Sequence, residues 1–357
     1  MAAENVALEF FSGIGGLHYA LCLARPGAVV ARAFDVDDTA TRVYASNFGT
    51  RALVTATDVC RLEPDALNRF GAGLWLLSPP CQPYTRQGNA LGAKDVRASG
   101  IAHLTALLGD DALEPPTRLL MENVVGFESS ESRDELARVL RGRDYAIREY
   151  WISPVHLGIP NQRTRYFLIA RRNGADVCWP PHELLDAREL PAWGEGPGRP
   201  LPVLPRTCVR VERPLSEFLD DGPDAWGPCA DGAANGPAAG ALPAELIAKY
   251  RTVLDVVTAA STHSSCFTKN YARYLKGTGS VLATALASED ALAAADADPA
   301  AWGLRFMSPR EIANLHGFPR EAFSFPADIS LRKRYNLLGN SLSIDVVAVL
   351  LRFLFEV

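Results

Sequence analysis

Short apolar runs alternate with helix-patterned segments over residues 1–170 of this 357-residue chain. Strands that alternate with helical segments indicate βαβ units, so we predict an α/β fold with a mostly parallel sheet and helices on both faces. The candidate strands are Val6–Phe11, Val29–Phe34, Ala52–Thr55, Leu74–Leu77, Leu119–Met121, Tyr145–Ile152 and Tyr166–Ala170.

Glycine-rich or polar residues follow five of these runs. They are a glycine-rich turn after the first run, Asp35, Asp58, Pro80-Cys81 and Glu122. In an open α/β sheet, the carboxyl ends of the strands line the ligand crevice. We therefore predict that these five positions converge on one binding site.

The composition changes after the last candidate strand. Residues 173–243 are rich in Pro, Gly and Ala, which indicates loops and a poorly ordered insertion. Helical patterns return at Ala244–Ala259, after the helix start at Ser308, and at Ile344–Phe355. We predict a first domain at 1–175, a smaller domain at 176–325 with a low-complexity insertion near 220–242, and a segment at 326–357 that returns to the first domain.

The bulk properties exclude several protein classes. Seven scattered cysteines without a C-x-x-C pair suggest neither a zinc site nor a disulfide framework. The N-terminus has no signal-peptide pattern, and no apolar run approaches the length of a membrane span. We expect a cytoplasmic protein, with the nucleus as a second location. At a net charge of −5, nucleic acid would bind only through a local basic surface.

The glycine-rich turn Phe11–Gly16 joins the first strand to a helix and permits close approach of the backbone to a nucleoside-bearing ligand. Asp35 follows the second strand, where a carboxylate can take both ribose hydroxyls. Asp58 is placed to hold an adenine amino group. The turn lacks the spacing of an NAD site, and no Walker lysine follows. The alternative is a packing turn with two helix-capping aspartates.

Cys81 stands in Ser78-Pro79-Pro80-Cys81-Gln82-Pro83, directly after an apolar strand. The two prolines stiffen the loop, and this context favours a nucleophile over an inert core thiol. Attack requires the thiolate, which Arg163 or Arg165 would favour. Glu122 follows another apolar strand. A carboxyl group there can relieve the charge that forms at nitrogen 3 when sulfur adds to carbon 6 of cytosine. The alternative for Glu122 is a structural carboxylate that bridges Arg163 or caps a turn.

Two further groups carry positive charge. Arg163 and Arg165 alternate at the start of a strand, so we expect both on one face, where one binds the base carbonyl and the other a phosphate. Two solvated arginines are the alternative. In 264–280, cations alternate with aromatic residues, as expected for contact with unpaired RNA or, alternatively, for a surface hairpin. Its cations are Lys269, Arg273 and Lys276, and its aromatic residues are Phe267, Tyr271 and Tyr274.

The order of these motifs resembles that of the cytosine carbon-5 methyltransferase family. The matching segments are Phe11–Gly16, Pro80-Cys81-Gln82, Glu122-Asn123-Val124, 162–165 and Gly339-Asn340-Ser341. Within the family, the chain most resembles the tRNA-aspartate branch, through 78–86, Cys266-Phe267-Thr268-Lys269 with Gly277-Thr278-Gly279-Ser280, and Glu311–Leu315 with Gly317-Phe318-Pro319. The likeness omits 173–245 and 285–303, and Tyr84 stands where a phenylalanine is common.

The resemblance implies a Rossmann-like, S-adenosylmethionine-dependent methyltransferase sheet with a small target-recognition domain. It implies that Cys81 is the nucleophile, that Glu122 is the partner of the ring nitrogen, and that Arg163 and Arg165 orient the base and the catalytic loop. The implied cofactor residues are Phe11, Ser12, Gly13, Ile14, Gly15, Gly16, Asp35, Val36, Asp58, Val59, Ser78, Pro80, Asn340 and Ser341. The substrate residues that we assign from the resemblance and the basic stretch are Gln82, Arg86, Cys266, Lys269, Tyr271, Arg273 and Lys276.

The implied substrate is cytosine 38 in the anticodon loop of tRNA-Asp, methylated through a covalent Cys81 adduct. We expect a monomer that binds tRNA, with weak DNA binding as a secondary property and no membrane partner. Three alternatives stay open. They are a DNA cytosine methyltransferase of restriction type, a catalytically silent nucleic-acid binder, and a thiol-dependent dinucleotide oxidoreductase.

Overall fold

The computed structural model describes residues 3–49, 53–80, 99–172, 212–220, 226, 240–288, 291 and 299–356. The chain divides into two compact units. The first comprises 1–152, 164–208 and 346–357, and the second comprises 153–163 and 209–345. Among the described residues, these units differ from the sequence-based boundaries at 153–163 and at 326–345, which both belong to the second unit. Backbone hydrogen bonds from Gln162 to Ser264 and from Arg213 to Gly158 bind the first of these segments into it.

The first unit contains a seven-stranded sheet in the order β3-β2-β1-β4-β5-β7-β6. Strand β7 runs antiparallel to both of its neighbours, and the other described neighbours pair in parallel. All seven strands predicted from the sequence are therefore confirmed, with ends that shift by a few residues. The strands are β1 Val6–Phe10, β2 Val29–Asp35, β3 Val54–Ala56, β4 Leu74–Leu77, β5 Arg118–Val124, β6 Tyr145–Ile152 and β7 Arg165–Arg172.

Central strands form where the sequence is apolar without interruption. All four residues of β4 are buried, as expected of a strand that is covered on both faces. One face packs on Leu104 of α4 and Leu136 of α5, in a core that also holds Leu8 and Phe10 of β1. Glu9 alternates with those two residues and so points to the opposite face. The helices of this unit are α1 Gly16–Ala24, α2 Asp38–Phe48, α3 Pro64–Asn68, α4 Ser99–Gly109, α5 Glu131–Gly142 and the C-terminal helix Ile344–Glu356.

The second unit has a small three-stranded sheet, formed by β8 Val256–Val257, β9 Val281–Ala283 and β10 Leu304–Phe306. The strands lie in the order β10-β9-β8. The helix predicted at Ala244–Ala259 is shorter, because α6 ends at Tyr250 and the β-branched pair Val256-Val257 becomes β8. The helix start at Ser308 is confirmed, since Ser308 and Glu311 form a capping box. The remaining helices are α7 Pro309–Leu315, α8 Leu331–Gly339 and α9 Ile344–Glu356.

The C-terminal stretch Leu331–Phe355 qualifies the expectation that no apolar run approaches a membrane span. By length and composition alone, this stretch is long and apolar enough to cross a membrane, but 67% of its most apolar window is buried inside the protein. Burial of this kind is typical of a core helix.

Candidate active site

The turn after β1 has an unusual backbone. Phe11, Gly13 and Gly15 have φ values of 57°, 52° and 88°, all in the left-handed region that a side chain disfavours. A Cβ on Gly15 would also overlap the ring of Phe48. The backbone N–H of Ser12 donates to the carbonyl of Phe34 at 3.0 Å, which fixes the turn to β2. Glycine is thus required by conformation at two positions and by packing at one of them.

Asp35 lies at the end of β2 and supports this turn. Its Oδ2 accepts the Gly13 N–H at 2.7 Å, and its Oδ1 accepts the Asp37 N–H at 2.8 Å. Burial raises the pKa of Asp35. The predicted alternative of a capping role is wrong for Asp35, because Asp37 is the N-cap of α2. The next residue, Val36, is 70% exposed and offers an apolar surface beside the turn.

The turn fits a polar nucleoside ligand. The Ser12 hydroxyl is buried and has no hydrogen-bond partner among the residues that the structure describes. Such an atom in a native protein usually has a partner, and a bound ligand can provide it. No described atom lies within 4 Å of the position that a Cβ on Gly13 would take, so the backbone there is accessible.

Asp58 and Val59, two further predicted cofactor residues, differ from each other in exposure. Asp58 is exposed and accepts the Cys60 N–H at 3.0 Å, which caps the short helix Val59–Arg61. Val59 is buried. A Cβ on Gly100 would lie 2.9 Å from both the Phe11 ring and the Val59 side chain. Gly100 therefore lets Phe11 pack at the start of α4, a role for which the sequence contains no motif.

Glu122 lies inside β5 and does not follow it as predicted. Its carboxyl group is buried, with 6% of the residue exposed. Oε2 accepts the Ser78 hydroxyl at 2.8 Å, and Oε1 lies 3.4 Å from Arg165 Nε. Register explains the second contact, because Val124 pairs with Arg165 across β5 and β7. The structure thus gives Ser78 a contact with Glu122 that the sequence interpretation missed.

Arg163 departs from the prediction that it shares a face with Arg165. Strand β7 begins only at Arg165, and Arg163 belongs to the second unit, where it is 3% exposed. Its guanidinium donates to the carbonyls of Phe267 and Gly339 at 3.0 Å each, and also to that of Ser341. The expectation of two solvated arginines is also wrong. Within its unit, Arg163 thus connects its own segment to two others through their backbone carbonyls.

The loop that carries the predicted nucleophile lies outside the described residues, and so do Gln82 and Arg86. Pro79 is buried and Pro80 is exposed at the last described position before Cys81. Asn123 Nδ2 lies 3.5 Å from the carbonyl of Pro79. The described entry to this loop is therefore adjacent to the Glu122 strand.

The basic stretch 264–280 is only partly a surface. Phe267 and Tyr271 are 1% and 3% exposed, so the predicted contact of Tyr271 with RNA is wrong. The Tyr271 hydroxyl donates to the carbonyl of Ser280 at 2.6 Å and accepts the Met307 N–H at 2.8 Å. Buried aromatic residues of this kind gain more from packing than they would from solvent contact.

The exposed charged and aromatic residues of that stretch are Arg273, Tyr274 and Lys276. Tyr274 is 51% exposed, and the Arg273 guanidinium lies 5.1 Å from the centre of its ring. Lys269 is half-buried, and the Cys266 sulfur accepts a hydrogen bond from Arg163 at 3.3 Å.

The predicted cofactor residues Asn340 and Ser341 lie in the second unit, directly after α8. Asn340 is exposed and caps this helix through its backbone N–H, which donates to Asn336 at 3.1 Å. Ser341 is half-buried and gives its carbonyl to Arg163.

A strand order of 3-2-1-4-5, with a glycine-rich turn after β1 and a carboxylate at the end of β2, is typical of a Rossmann-like nucleoside-binding fold. A family model described as C-5 cytosine-specific DNA methylase matches residues 6–191 and 253–356. A tRNA (cytosine(38)-C(5))-methyltransferase from Rattus norvegicus is 33% identical over 98% of both chains.

Two further relatives agree. A DNA (cytosine-5)-methyltransferase from Dictyostelium discoideum is 31% identical over 97% of this chain and 93% of its own length. The crystal structure of the S. pombe Dnmt2 methyltransferase matches with a TM-score of 0.76 and 27% identity over 98% of both chains. The chain belongs to the C-5 cytosine-specific DNA methylase family. Enzymes of this type use S-adenosylmethionine, which confirms the predicted cofactor. The similarity to the solved structure confirms the predicted fold class.

Proposed function

We propose that this protein transfers a methyl group from S-adenosylmethionine to carbon 5 of cytosine 38 in tRNA-Asp. The observation that carries the proposal is the full-length similarity to a relative named for cytosine 38 of tRNA, at 33% identity over 98% of both chains. The geometry of Glu122 supports it, because a buried carboxyl group held by Ser78 and Arg165 lies beside the entry to the Cys81 loop.

The reaction begins when the target base leaves its stack. The Cys81 thiolate adds its electron pair to carbon 6, and the electrons of the ring double bond make carbon 5 nucleophilic. Glu122 provides a proton or a hydrogen bond at nitrogen 3, where negative charge develops. S-adenosylmethionine, when bound, supplies an electrophilic methyl group on a sulfonium. After methylation a base removes the carbon-5 proton, the double bond re-forms, and the bond from carbon 6 to Cys81 breaks.

We propose roles in this reaction for several of the described residues. The turn from Phe11 to Gly16 would hold the cofactor, with Asp35 at its ribose and Val36 against its adenine. Arg165 Nε lies 3.4 Å from Glu122 Oε1 and limits the rotation of that carboxyl group. Arg163 acts through the backbones that it joins, and we assign it to positioning.

RNA would bind the exposed group formed by Arg273, Tyr274 and Lys276. Cations there meet phosphates, and an exposed aromatic face can stack on an unpaired base. We further propose that the protein acts as a monomer in the cytoplasm, with the nucleus as a second location.

A DNA substrate is the second candidate, because the relative from Dictyostelium discoideum is named as a DNA (cytosine-5)-methyltransferase. The test measures methyl transfer from labelled S-adenosylmethionine at one salt concentration. The substrates are a tRNA-Asp transcript, the same transcript with uracil at position 38, and duplex DNA. We expect transfer only to the first, and none to any substrate with Cys81→Ala.

Equal transfer to both transcripts would refute the cytosine-38 assignment, and faster transfer to DNA would favour the second candidate. The control variant Cys22→Ala changes an exposed cysteine on α1 and should retain activity. Activity that survives Cys81→Ala would refute the assignment of the nucleophile.

A further inference from the structure

A buried polar chain crosses the first unit beneath the cofactor turn. Glu9 lies in β1 and is 0% exposed, and its Oε2 accepts the Tyr44 hydroxyl at 2.7 Å. The same hydroxyl lies 2.8 Å from Nδ1 of His18, which is 8% exposed. One chain of three side chains therefore joins β1, α2 and α1.

These three residues flank the turn that holds the cofactor. Glu9 comes two residues before Phe11, and His18 comes two residues after Gly16. The N-cap of α1 is Gly15, which has no side chain to cap the helix. The second carboxyl oxygen of Glu9, Oε1, is buried and has no hydrogen-bond partner among the residues that the structure describes. The Glu9 carboxyl group is thus connected to the first turn of the helix through Tyr44 and the His18 side chain.

Helix α2 contributes a second restraint at the same place. The Phe48 ring stacks on His18 at 3.8 Å between centroids, with 8° between the planes. The Tyr44 ring lies 4.7 Å from that of Phe48. Because a Cβ on Gly15 would overlap Phe48, the same ring covers the turn. The aromatic packing and the hydrogen bonds therefore act on one short piece of backbone.

Burying a carboxyl group inside a sheet is costly, and apolar residues would serve packing alone. A turn with three left-handed residues also needs neighbours that fix its conformation. We propose that Glu9, Tyr44 and His18 are positioning residues for the cofactor turn, and that their hydrogen bonds set the affinity for S-adenosylmethionine. This inference rests on the proposed function only through the cofactor, and it requires no nucleic acid.

Tyr44→Phe tests the inference, since it keeps the ring that packs against Phe48 and His18 and removes only the hydroxyl. We expect the Kd for S-adenosylmethionine, measured by calorimetry without RNA, to rise about tenfold as the loss of one buried hydrogen bond predicts. The kcat at saturating cofactor should change less than about twofold, because the reacting groups are untouched.

Tyr145→Phe is the matched control. Tyr145 is also buried in the first unit, and its hydroxyl donates to the carbonyl of Pro116, away from the turn. It should lower the melting temperature without changing the Kd. Glu9→Leu should weaken binding as Tyr44→Phe does, whereas Glu9→Gln keeps an acceptor and should stay within about threefold of the wild-type Kd.

Three results would overturn the inference. They are wild-type affinity in Tyr44→Phe, an equal loss of affinity in Tyr145→Phe, and a loss of kcat at saturating cofactor with an unchanged Kd. A wild-type protein that does not bind S-adenosylmethionine would instead refute the proposed function, and this inference with it. Binding of cofactor without transfer to tRNA would refute the proposed substrate alone.

Discussion

The free energy of unfolding should depend on pH through the buried carboxyl group of Glu9. Burial raises the pKa of Glu9 from 4.5 to about 8, against the smaller opposing effect of the Tyr44 hydroxyl. The folded chain therefore retains a proton that the unfolded chain releases near pH 4.5. The stability from this group is fully present below pH 4.5 and is lost as pH rises through about 8.

His18 has the opposite effect in a lower range. Burial lowers its pKa from 6.5 to about 4, so its contribution is lost as pH falls through this range. The effects of Glu9 and His18 oppose each other below pH 6.5, and of these two groups only Glu9 titrates between pH 6.5 and about 8. At about 1.36 kcal/mol for each pH unit, the wild-type protein should lose about 2 kcal/mol over that interval.

Other titratable groups near Glu9 do not change the direction in which the free energy of unfolding varies with pH. Burial also raises the pKa of Asp35, so its contribution has the same sign as that of Glu9. The pKa values of Cys22 and Tyr44 are raised from ordinary values of 9.0 and 10.0, so both groups stay neutral over the interval.

Urea unfolding at pH 6.5 and at pH 8 measures the effect in the wild type and in Glu9→Gln. We expect the decrease of about 2 kcal/mol in the wild type to fall below about 0.5 kcal/mol in the variant, since a glutamine cannot ionise. Glu114→Gln is the control at an exposed position and should keep the wild-type slope. A Glu9→Gln protein that loses as much stability as the wild type would refute the reasoning.

Three further changes test the site. Ser78→Ala removes a hydrogen bond to Glu122 worth about 1.5–3 kcal/mol. The kcat should therefore fall roughly 10- to 100-fold, with an unchanged Kd for the cofactor. A higher Kd with an unchanged kcat would instead support the cofactor role that the resemblance implies for Ser78. Gly15→Ala should weaken cofactor binding more than tenfold, because its φ is 88° and Phe48 fills the space, while Gly142→Ala should leave binding unchanged. Lys276→Ala should weaken tRNA binding and lower the salt slope by about one, and an unchanged slope would exclude a phosphate contact.

Much of the fold follows from local patterns. The strands are uninterrupted apolar runs, and their order in the chain with helices between them restricts the topology to a doubly wound sheet. The same local logic found the glycine turn, since only glycine adopts a left-handed backbone without penalty at Gly13 and Gly15. Glu122 was found because a charge at the edge of an apolar run is usually paired or functional.

Three assignments needed the tertiary structure. Ser78 and Glu122 are 44 residues apart, and the strand pairing of β4 with β5 brings them together. Arg163 reaches backbone atoms 104 and 176 residues away. Tyr271 belongs to a stretch whose composition indicates a surface, but its ring is buried against those of Phe267, Phe306 and Tyr335.

The amino-acid sequence by itself determined the elements, their order and the chemical types available at the strand ends, because these depend on side-chain periodicity and on backbone conformations set by neighbouring residues. Only the tertiary structure decided which polar groups become buried and which partner each one meets. Burial and hydrogen bonding depend on contacts between distant segments, and a buried polar group such as Glu9 is explained only when those contacts are known.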